Sequence, residues 1–241
     1  MTQTLITSSS RWFISTAIAG LLPLVAQTCA PTPKGLSAWV SFDEPLFRNQ
    51  PNRIEGQVGK AMHFDGTSQF FQMPYTPGFN VGEGDFSIEL WTRTTVKKAT
   101  RNIVDYRSED PKGWLIFIRR ETVGFQIADG SHVSNVIAAN YPISDGRWHH
   151  IVAVGKRLPP QSPMIFVDGV LRAQEGKHLP LSNLDHAIPL WFARHHRNAV
   201  IDREDVYFGG DIDELSVYRR VLTPAEISSL FRAGHSGKCR K

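Results

Sequence analysis

The chain has 241 residues, of which 41% are hydrophobic and 21% are charged, and its formal net charge is +4. This is the composition of a soluble globular protein, and the length suits a single domain of all-β size. The small basic excess is spread along the chain, which indicates a solvated surface and no nucleic-acid partner. The sequence shows no internal repeat, low-complexity tract or second domain.

The first residues differ in character from the rest. Arg11 is the only charge among the first 33 residues, and a 15-residue, largely apolar run follows it at Trp12–Ala26. A basic start before an apolar run too short to span a bilayer comfortably predicts a secretory signal peptide at residues 1–26. Cleavage after Ala30 is the alternative. Residues 27–34 then form a short linker, and we expect a secreted protein with no membrane span.

Short runs of β-branched and aromatic residues, separated by turn clusters, fill the body of the chain. Such runs predict strands. The clearest are Trp39–Phe42, Phe86–Thr92, Trp114–Ile118, Val123–Ile127, His149–Val154 and Met164–Val167. Asp168-Gly169, between two apolar runs, predicts a two-residue β-hairpin. The pattern predicts an all-β fold, a β-sandwich of two antiparallel sheets.

The segment that begins at Gly209 predicts one more strand. In this strand Asp213 falls in phase with Leu215 and Val217, two candidates for the core. A carboxylate on that side must find hydrogen-bond donors, a cation or solvent at the rim, because burying it unpaired is very costly. The position therefore indicates a metal site.

A short C-terminal helix is predicted directly after this strand. Thr223 suits the N-cap, Pro224 suits the first helical position, and Glu226 completes a capping box. The helix is expected to end near Gly234. Residues 235–241 then form a basic tail.

Six motifs occur in the order typical of laminin-G-like, concanavalin A-type jelly-roll domains. They are Ser41–Glu44, Gly59–Gly66, Phe86–Trp91, Asp145–Val154, Phe166–Val170 and Ile212–Ile227. The chain resembles this family over residues 35–234, which implies a jelly-roll domain with these bounds. The resemblance says much less about activity, since one fold hosts many functions.

The resemblance also implies a structural calcium ion near the chain ends. Carried over to this sequence, the ligands are Asp43, Asp65 or the carbonyl of Gly66, and Asp213. Calcium takes six to eight oxygen ligands, and carboxylates mixed with backbone carbonyls suit it. The alternative is that these carboxylates cap turns and pair with nearby arginine or lysine.

The only two cysteines, Cys29 and Cys239, lie at opposite ends of the exported chain. In an oxidising compartment such a lone pair suggests a disulfide. Domains that resemble this one bring their termini together on adjacent strands, which implies that the bridge is geometrically reasonable. Cleavage after Ala30 would remove Cys29.

Catalytic residues are not expected. Jelly-roll glycoside hydrolases of the laminarinase type carry Glu-x-Asp-x-Glu on one strand as nucleophile and acid/base. The nearest string here is Asp211–Leu215, in which leucine stands at the third in-phase position. The sequence also lacks the common hydrolase, metalloprotease, redox and phosphate-loop motifs. A catalytic pair assembled from distant loops stays open as an alternative.

Candidate ligand-binding residues cluster in one loop. Arg194, His196 and Arg197 follow Trp191 closely, and arginine forks with an aromatic face suit a sugar. Trp114 opens a strand and is a candidate for the concave face. The alternative for this loop is a solvated connection between strands.

These observations predict a secreted, non-catalytic, carbohydrate-binding module for a polysaccharide or a cell-surface glycan, with a structural calcium ion. The second hypothesis is an adhesion or structural module that binds an extracellular protein and no sugar. The third is a divergent glycoside hydrolase or lyase.

Overall fold

The structure is a computed structural model, which describes residues 28–44, 51–97, 100–157, 162–176, 182–196 and 207–240. The predicted signal peptide and Arg197 lie outside the described residues. Within them, no helix is long and apolar enough to cross a membrane.

Fourteen strands, one α-helix and two short 3₁₀ segments make up the described regular structure. The strands are β1 Leu36–Val40, β2 Arg53–Glu55, β3 Lys60–Asp65, β4 Phe71–Met73, β5 Phe86–Arg93, β6 Thr100–Arg107, β7 Lys112–Arg119, β8 Thr122–Asp129, β9 Val133–Pro142, β10 Trp148–Gly155, β11 Met164–Val167, β12 Val170–Gln174, β13 Leu190–Phe192 and β14 Gly209–Tyr218. Helix α1 is Pro224–Ala233, and the 3₁₀ segments are Pro77–Phe79 and Gly234–Ser236.

The strands form two antiparallel sheets packed face to face. One has eight strands in the order β12-β11-β10-β5-β14-β3-β2, with β1 paired to β14, and the other has six in the order β4-β13-β6-β7-β8-β9. The predicted all-β sandwich with a short C-terminal helix is confirmed.

The main core lies between the sheets. In β7, Trp114, Ile116 and Ile118 belong to this core, and the alternate residues Leu115 and Phe117 face the other way, because successive side chains of a strand point to opposite faces. The outer face of the six-stranded sheet is therefore built from the alternate positions of its strands, such as Leu115 and Phe117 in β7.

A β-bulge interrupts β14. Its register with β5 shifts between Asp213 and Ser216, and Glu214 has φ +55°. Leu215 and Val217 point into the core, but Asp213 lies on the opposite side of the strand from its core neighbour Ile212. The prediction that Asp213 is in phase with Leu215 and Val217 was wrong, because the extra residue of a bulge shifts the alternation by one.

Helix α1 begins and ends as predicted. The Thr223 hydroxyl accepts a hydrogen bond from the amide of Glu226, whose carboxylate accepts one from the amide of Thr223. Ile227 and Leu230 pack on the eight-stranded sheet in a second apolar cluster with Tyr218. The helix covers part of the outer face of this sheet.

A disulfide joins the first and last segments of the described chain. Cys29 and Cys239 form a disulfide with Cα atoms 4.9 Å apart, which confirms the predicted bridge. Ala30 and Lys238 form a parallel bridge beside it. Lys238 is buried, so part of the predicted basic tail packs on the domain.

Candidate functional site

A row of polar and aromatic residues crosses the outer face of the eight-stranded sheet. Strand register places Asp211 of β14 opposite His63 of β3 on one side and Arg93 of β5 on the other. Trp148 of β10 lies opposite Arg93. Directly opposed residues share a face, so these four side chains lie side by side.

The charges in this row are paired. The buried carboxylate of Asp211 accepts hydrogen bonds from Arg93 Nε at 2.6 Å and from His63 Nδ1 at 2.7 Å. The guanidinium carbon of Arg93 lies 4.9 Å from the ring centroid of Trp148. Stacking and pairing together fix the orientation of the guanidinium fork.

Three members of this row, His63, Arg93 and Asp211, form one wall of a pocket of about 550 Å³. Its lining also includes Asp65, Arg101 and Tyr207. Part of the floor is backbone, because Gly66 and Gly209 approach so closely that a Cβ on Gly66 would lie 2.9 Å from the Cα of Gly209. The pocket offers planar donors, carboxylates and an aromatic ring to one bound molecule.

Asp65 shapes the rim of the pocket by capping a turn. Its Oδ1 accepts hydrogen bonds from the backbone amides of Thr67, Ser68 and Gln69, each at 2.9 Å. Burial would raise the pKa of Asp65, but these amides hold it well below its usual range. Asp65 thus has the turn-capping role that the sequence left open as the alternative to a metal ligand.

The predicted calcium ligands fall into two groups. Asp43 and Asp213 flank a turn at the start of β3, where Asp43 Oδ1 accepts from the amide of Lys60 at 2.9 Å and Asp213 Oδ2 accepts from the amide of Val58 at 2.8 Å. Asp65 and Gly66 lie at the other end of this six-residue strand, roughly 16 Å away. The structure brings together two of the four predicted ligands.

The turn beside Asp43 and Asp213 offers mostly hydrogen-bond donors. Both carboxylates face backbone N–H groups, and Asp43 also pairs with Arg240, whereas a calcium ion needs oxygen ligands. Among the described residues, Asp213 Oδ1 is buried with no hydrogen-bond partner. The donor set here fits a capped turn better than a calcium site, and the calcium ion stays a prediction.

Asp213 gives a pH-dependent test of these alternatives. Burial raises its pKa from 3.8 to about 8. A group whose pKa is raised by folding contributes its full stabilising free energy below its unfolded pKa, here 3.8. That contribution is lost as the pH rises from about 4 to the folded pKa of about 8. Asp213→Asn keeps an acceptor for the Val58 amide without a titrating group. In chelator, it should be more stable than wild type at pH 9 by on the order of 2 kcal/mol, and equal to it near pH 4.

Urea denaturation at the two pH values measures this difference. Asp65→Asn is the matched control, since the pKa of Asp65 is lowered and its loss should destabilise the protein at pH 9. Asp213→Asn that is less stable than wild type at pH 9 in chelator would contradict the protonated carboxyl. A loss of stability seen only in calcium would support the predicted ligand role.

A second polar network lies on the outer face of the six-stranded sheet. The fully buried Asp105 accepts hydrogen bonds from Asn102 Nδ2 at 2.9 Å, from Arg107 Nε and Nη2 at 2.8 and 2.9 Å, and from His196 Nδ1 at 3.2 Å. Burial would raise the pKa of Asp105, but the bonds from Arg107 and His196 hold it below its usual range. Asp105 is therefore an ionised carboxylate at the centre of the face.

The network reaches towards the edge of the sheet. Arg107 also donates to the side-chain carbonyl of Gln126, whose amide donates to Asn135 at 2.8 Å. Arg107 Nη2 lies 3.2 Å from Nε2 of His195. Gln126 is half-buried and Asn135 is exposed, so the network ends in polar groups that water or a ligand reaches.

An aromatic cluster joins this face to the pocket. Trp191, opposite Asp105 in the register, stacks on Phe70 with ring centroids 5.4 Å apart. The guanidinium carbon of Arg194 lies 4.8 Å from the ring centroid of Phe70 and 5.2 Å from that of Tyr207, which also lines the pocket. The pocket, the cluster and the Asp105 network are thus continuous.

The predicted ligand-binding residues separate accordingly. Trp191, Arg194 and His196 come together in this continuous region, while Arg197 lies outside the described residues. Trp114 is 0% exposed and donates from its indole N–H to the carbonyl of Phe79 at 3.3 Å. The prediction that Trp114 lines a binding face is corrected, because it shares the inward phase of its strand.

The sequence patterns did not indicate several residues of the pocket and of the Asp105 network. They are His63, Arg93, Asp105, Arg107 and Tyr207. Neighbours along the chain carry no signal for them, because the site is assembled by register between strands that are distant in sequence. The one available signal was a single polar residue at a strand position that alternates with core positions and therefore faces outward.

A family model of laminin G type, described as the "Concanavalin A-like lectin/glucanases superfamily", matches residues 65–228. The match covers more than half of the chain, so the chain belongs to this superfamily. Non-toxic nonhemagglutinin type E of Clostridium botulinum is 29% identical over 123 residues, or 51% of this chain. The chain spans only 10–12% of the length of the curated relatives it matches.

Two solved structures have a similar fold. The binding domain of Paraclostridial Mosquitocidal Protein 1 is 17% identical, covers 82% of this chain and 52% of its own, and has a TM-score of 0.67. Domain 4 of an extracellular arabinanase from Geobacillus stearothermophilus, in complex with arabinotriose, is also 17% identical, covers 80% of this chain and 96% of its own, and has a TM-score of 0.59. At this identity, the likeness establishes the fold alone.

Proposed function

We propose that this protein is a non-catalytic carbohydrate-binding module that acts outside the cell. The observation that carries the proposal is the pocket of about 550 Å³ with its paired row of His63, Asp211 and Arg93. Pairing leaves little net charge on this wall but keeps its donors and acceptors in fixed positions. A neutral, polyhydroxylated molecule fits such a wall.

The remaining lining adds the other contacts that sugars use. Arg101 lines the pocket, and its Nη1 donates a hydrogen bond to the adjacent backbone carbonyl of Thr100 at 3.0 Å. A guanidinium has five N–H donors, so Arg101 remains able to donate to the hydroxyl groups of a sugar. Tyr207 lends an aromatic surface, against which the apolar face of a sugar ring packs. Polar groups placed around such a surface are typical of sites that select a ligand.

The carboxylates of the pocket support binding without catalysis. Asp65 is bonded to three backbone amides, and Asp211 is held between a guanidinium and an imidazole. A retaining or inverting glycosidase needs one carboxyl group that stays protonated to act as an acid. The lowered pKa of Asp65 runs against that requirement.

The comparisons support the same function. The superfamily is described by its lectins and glucanases, and one structure of similar fold holds arabinotriose. The predicted signal peptide and the disulfide between Cys29 and Cys239 support an extracellular location, because disulfides persist in oxidising compartments. A polysaccharide or a cell-surface glycan is the partner that we propose.

A glycan and polysaccharide array with the secreted protein tests the proposal, with Arg101→Ala as the pocket variant. We expect binding to a defined sugar class, and a loss of about tenfold or more in Arg101→Ala, equivalent to about 1.4 kcal/mol. Arg172→Ala is the matched control, because Arg172 is an exposed arginine of β12 outside the pocket lining. It should bind like wild type.

Two outcomes would contradict the proposal. Glycan binding that is unchanged in Arg101→Ala, with wild-type melting temperature, would place the sugar elsewhere on the molecule. No binding to any sugar by protein shown to be folded would favour the adhesion hypothesis and a protein partner.

A further inference from the structure

The fold gathers basic residues at the end of the sandwich where the pocket opens. Strand register places Thr100 of β6 directly opposite Arg119 of β7, so Arg101 and Arg119 are close neighbours across the two strands. Arg120 follows in the turn between β7 and β8. We call Arg101, Arg119 and Arg120 the basic rim. Arg101 is distant from the other two in sequence, and strand pairing brings the three together.

The charges of the basic rim are not neutralised by neighbouring carboxylates. Arg101 donates only to the carbonyl of Thr100, and within the described parts of the chain neither Arg119 nor Arg120 has a side-chain hydrogen bond or ion pair. Arg119 and Arg120 are both exposed, and Arg101 is half-buried at the pocket. Three guanidinium groups are therefore available to an anionic partner.

The other cations at this end are already paired. Lys97 Nζ lies 3.7 Å from a carboxylate oxygen of Glu121, and Arg147 Nε donates to Asp145 at 2.6 Å. These pairs add little net charge to the surface. The unbalanced positive charge here is that of the basic rim.

The basic rim is continuous with the pocket. Arg101 belongs to both. The carbonyl of Glu121, the residue after Arg120, accepts a hydrogen bond from the amide of Ile143 at 2.7 Å. Ile143 leads into the loop whose Gly146 lines the pocket. The turn that carries Arg120 is thus tied to the loop that shapes the pocket.

The opposite end of the sandwich carries the opposite charge. Strand β10 begins beside the pocket at Trp148 and ends at Gly155, and Arg157 lies just beyond it. Arg157 lies in the field of four carboxylates, those of Glu83, Asp85, Asp129 and Asp185. The charges of the described residues are thus separated along the sandwich, and such a distribution steers an anionic partner towards the pocket end.

The chemistry of the basic rim selects the kind of partner. Guanidinium forks bind oxyanions such as carboxylates through two parallel hydrogen bonds. The rim is open and lies outside the balanced wall of His63, Asp211 and Arg93, so its anionic partners are groups that project from a ligand already seated in the pocket. A sugar chain with charged groups on successive units provides them.

We propose that the basic rim binds the carboxylate or sulfate groups of an acidic polysaccharide, one unit of which occupies the pocket. The pocket wall holds hydroxyl groups of that unit, and the rim holds the charged groups of the chain beside it. This inference rests on the proposed function and adds the charge of the glycan to it.

Two pairs of polysaccharides, each with a common backbone, test the role of charge. Polygalacturonate against its methyl ester tests carboxylate, and dextran sulfate against dextran tests sulfate. We expect the charged member of one pair or both to bind at least tenfold more tightly than its neutral partner. Raising the ionic strength from about 0.05 to about 0.5 M should weaken this binding, because salt screens exposed charges.

The double variant Arg119→Gln with Arg120→Gln should bind the charged polysaccharide at least tenfold more weakly than wild type. Lys34→Gln with Arg232→Gln is the matched control, because it removes the same two charges from exposed positions outside the pocket lining. It should bind like wild type. Melting temperatures of both double variants exclude unfolding as the cause of a loss.

Four outcomes would overturn the inference. Neutral polysaccharides bound as tightly as their charged partners would overturn it and leave the proposed function standing. Equal losses in the two double variants would show an effect of net charge alone. Single-stranded DNA bound as tightly as the acidic polysaccharide would show a general surface for polyanions. No binding to any sugar, charged or neutral, would overturn the proposed function and this inference with it.

Discussion

Replacing Lys238 by alanine should lower the free energy of unfolding by about 3–5 kcal/mol. Its ammonium group is buried, 2.9 Å from Glu214 Oε2 and 3.3 Å from each carboxylate oxygen of Glu89. Glu89 also accepts a hydrogen bond from the hydroxyl of Tyr218 at 2.8 Å. Removing the ammonium leaves two buried carboxylates without their cation, and such a loss is much larger than that of an exposed pair.

Urea denaturation at pH 7 measures the loss, and Arg240→Ala is the matched control. Arg240 is a neighbouring tail cation that pairs with Asp43, but its side chain is 57% exposed. An exposed pair contributes at most about 1 kcal/mol. A loss of stability in Lys238→Ala no larger than that in Arg240→Ala would contradict the buried network.

The pH dependence of the stability of Lys238→Ala separates the effect of the lost charge from the effect of the lost packing. Burial acts to raise the pKa of Glu89, and Lys238 is the main group that holds it at about 2. Burial already raises the pKa of Glu214 despite Lys238. Without the ammonium both carboxyls should bind protons more tightly in the folded state, which stabilises the variant at low pH and is lost as the pH rises. The difference from wild type should therefore shrink between pH 7 and pH 4, whereas a packing defect would stay constant.

Local sequence signals predicted the regular structure well. The strand predicted at Met164–Val167 has those bounds, and the strand predicted at Phe86–Thr92 ends one residue later. The helix after Thr223 carries the expected capping box. These features depend on residues close together in the chain, so alternation and capping chemistry are enough to predict them. The inward position of Trp114 follows from the same alternation with Ile116, and it too was predictable.

The bulge in β14 marks the limit of such signals. Glu214 adopts a positive φ at a position where nothing in the sequence favours glycine-like backbone. The bulge moves Asp213 to the outer face, where a loop and the C-terminal tail cover it, with His235 contacting the carbonyl of Gln57. Tertiary contacts set this conformation, and alternation alone placed Asp213 on the wrong side.

The candidate site was the least predictable part. His63, Asp211 and Arg93 come from three strands, and each is an unremarkable polar residue in its own segment. Only the loop around His196 stood out, as a dense cluster of basic residues beside Trp191. A site assembled by register depends on pairing between distant strands, and composition does not encode that pairing in any local pattern.

Replacing both cysteines by serine should lower the free energy of unfolding by about 2–5 kcal/mol. Cys29 and Cys239 are 210 residues apart, so the bridge restricts the unfolded chain over nearly its whole described length. Longer closed loops gain more stability from a crosslink, with a weak, logarithmic dependence on length. The residue before Cys239 is Lys238, so the bridge also holds the buried ammonium in place.

Because the disulfide and the buried Lys238 are adjacent in the chain, the losses of stability caused by removing each of them should not add. Once the bridge is gone, the end of the chain is free to leave the sheet, and less of the contribution of Lys238 remains to be lost. Urea denaturation of wild type, Cys29→Ser with Cys239→Ser, Lys238→Ala and the triple variant forms a double-mutant cycle. We expect the triple variant to lose at least 1 kcal/mol less than the sum, which is above the usual additivity error of about 0.5 kcal/mol. Additive losses would show that Lys238 stays docked without the disulfide, held by Glu89 and Glu214 alone.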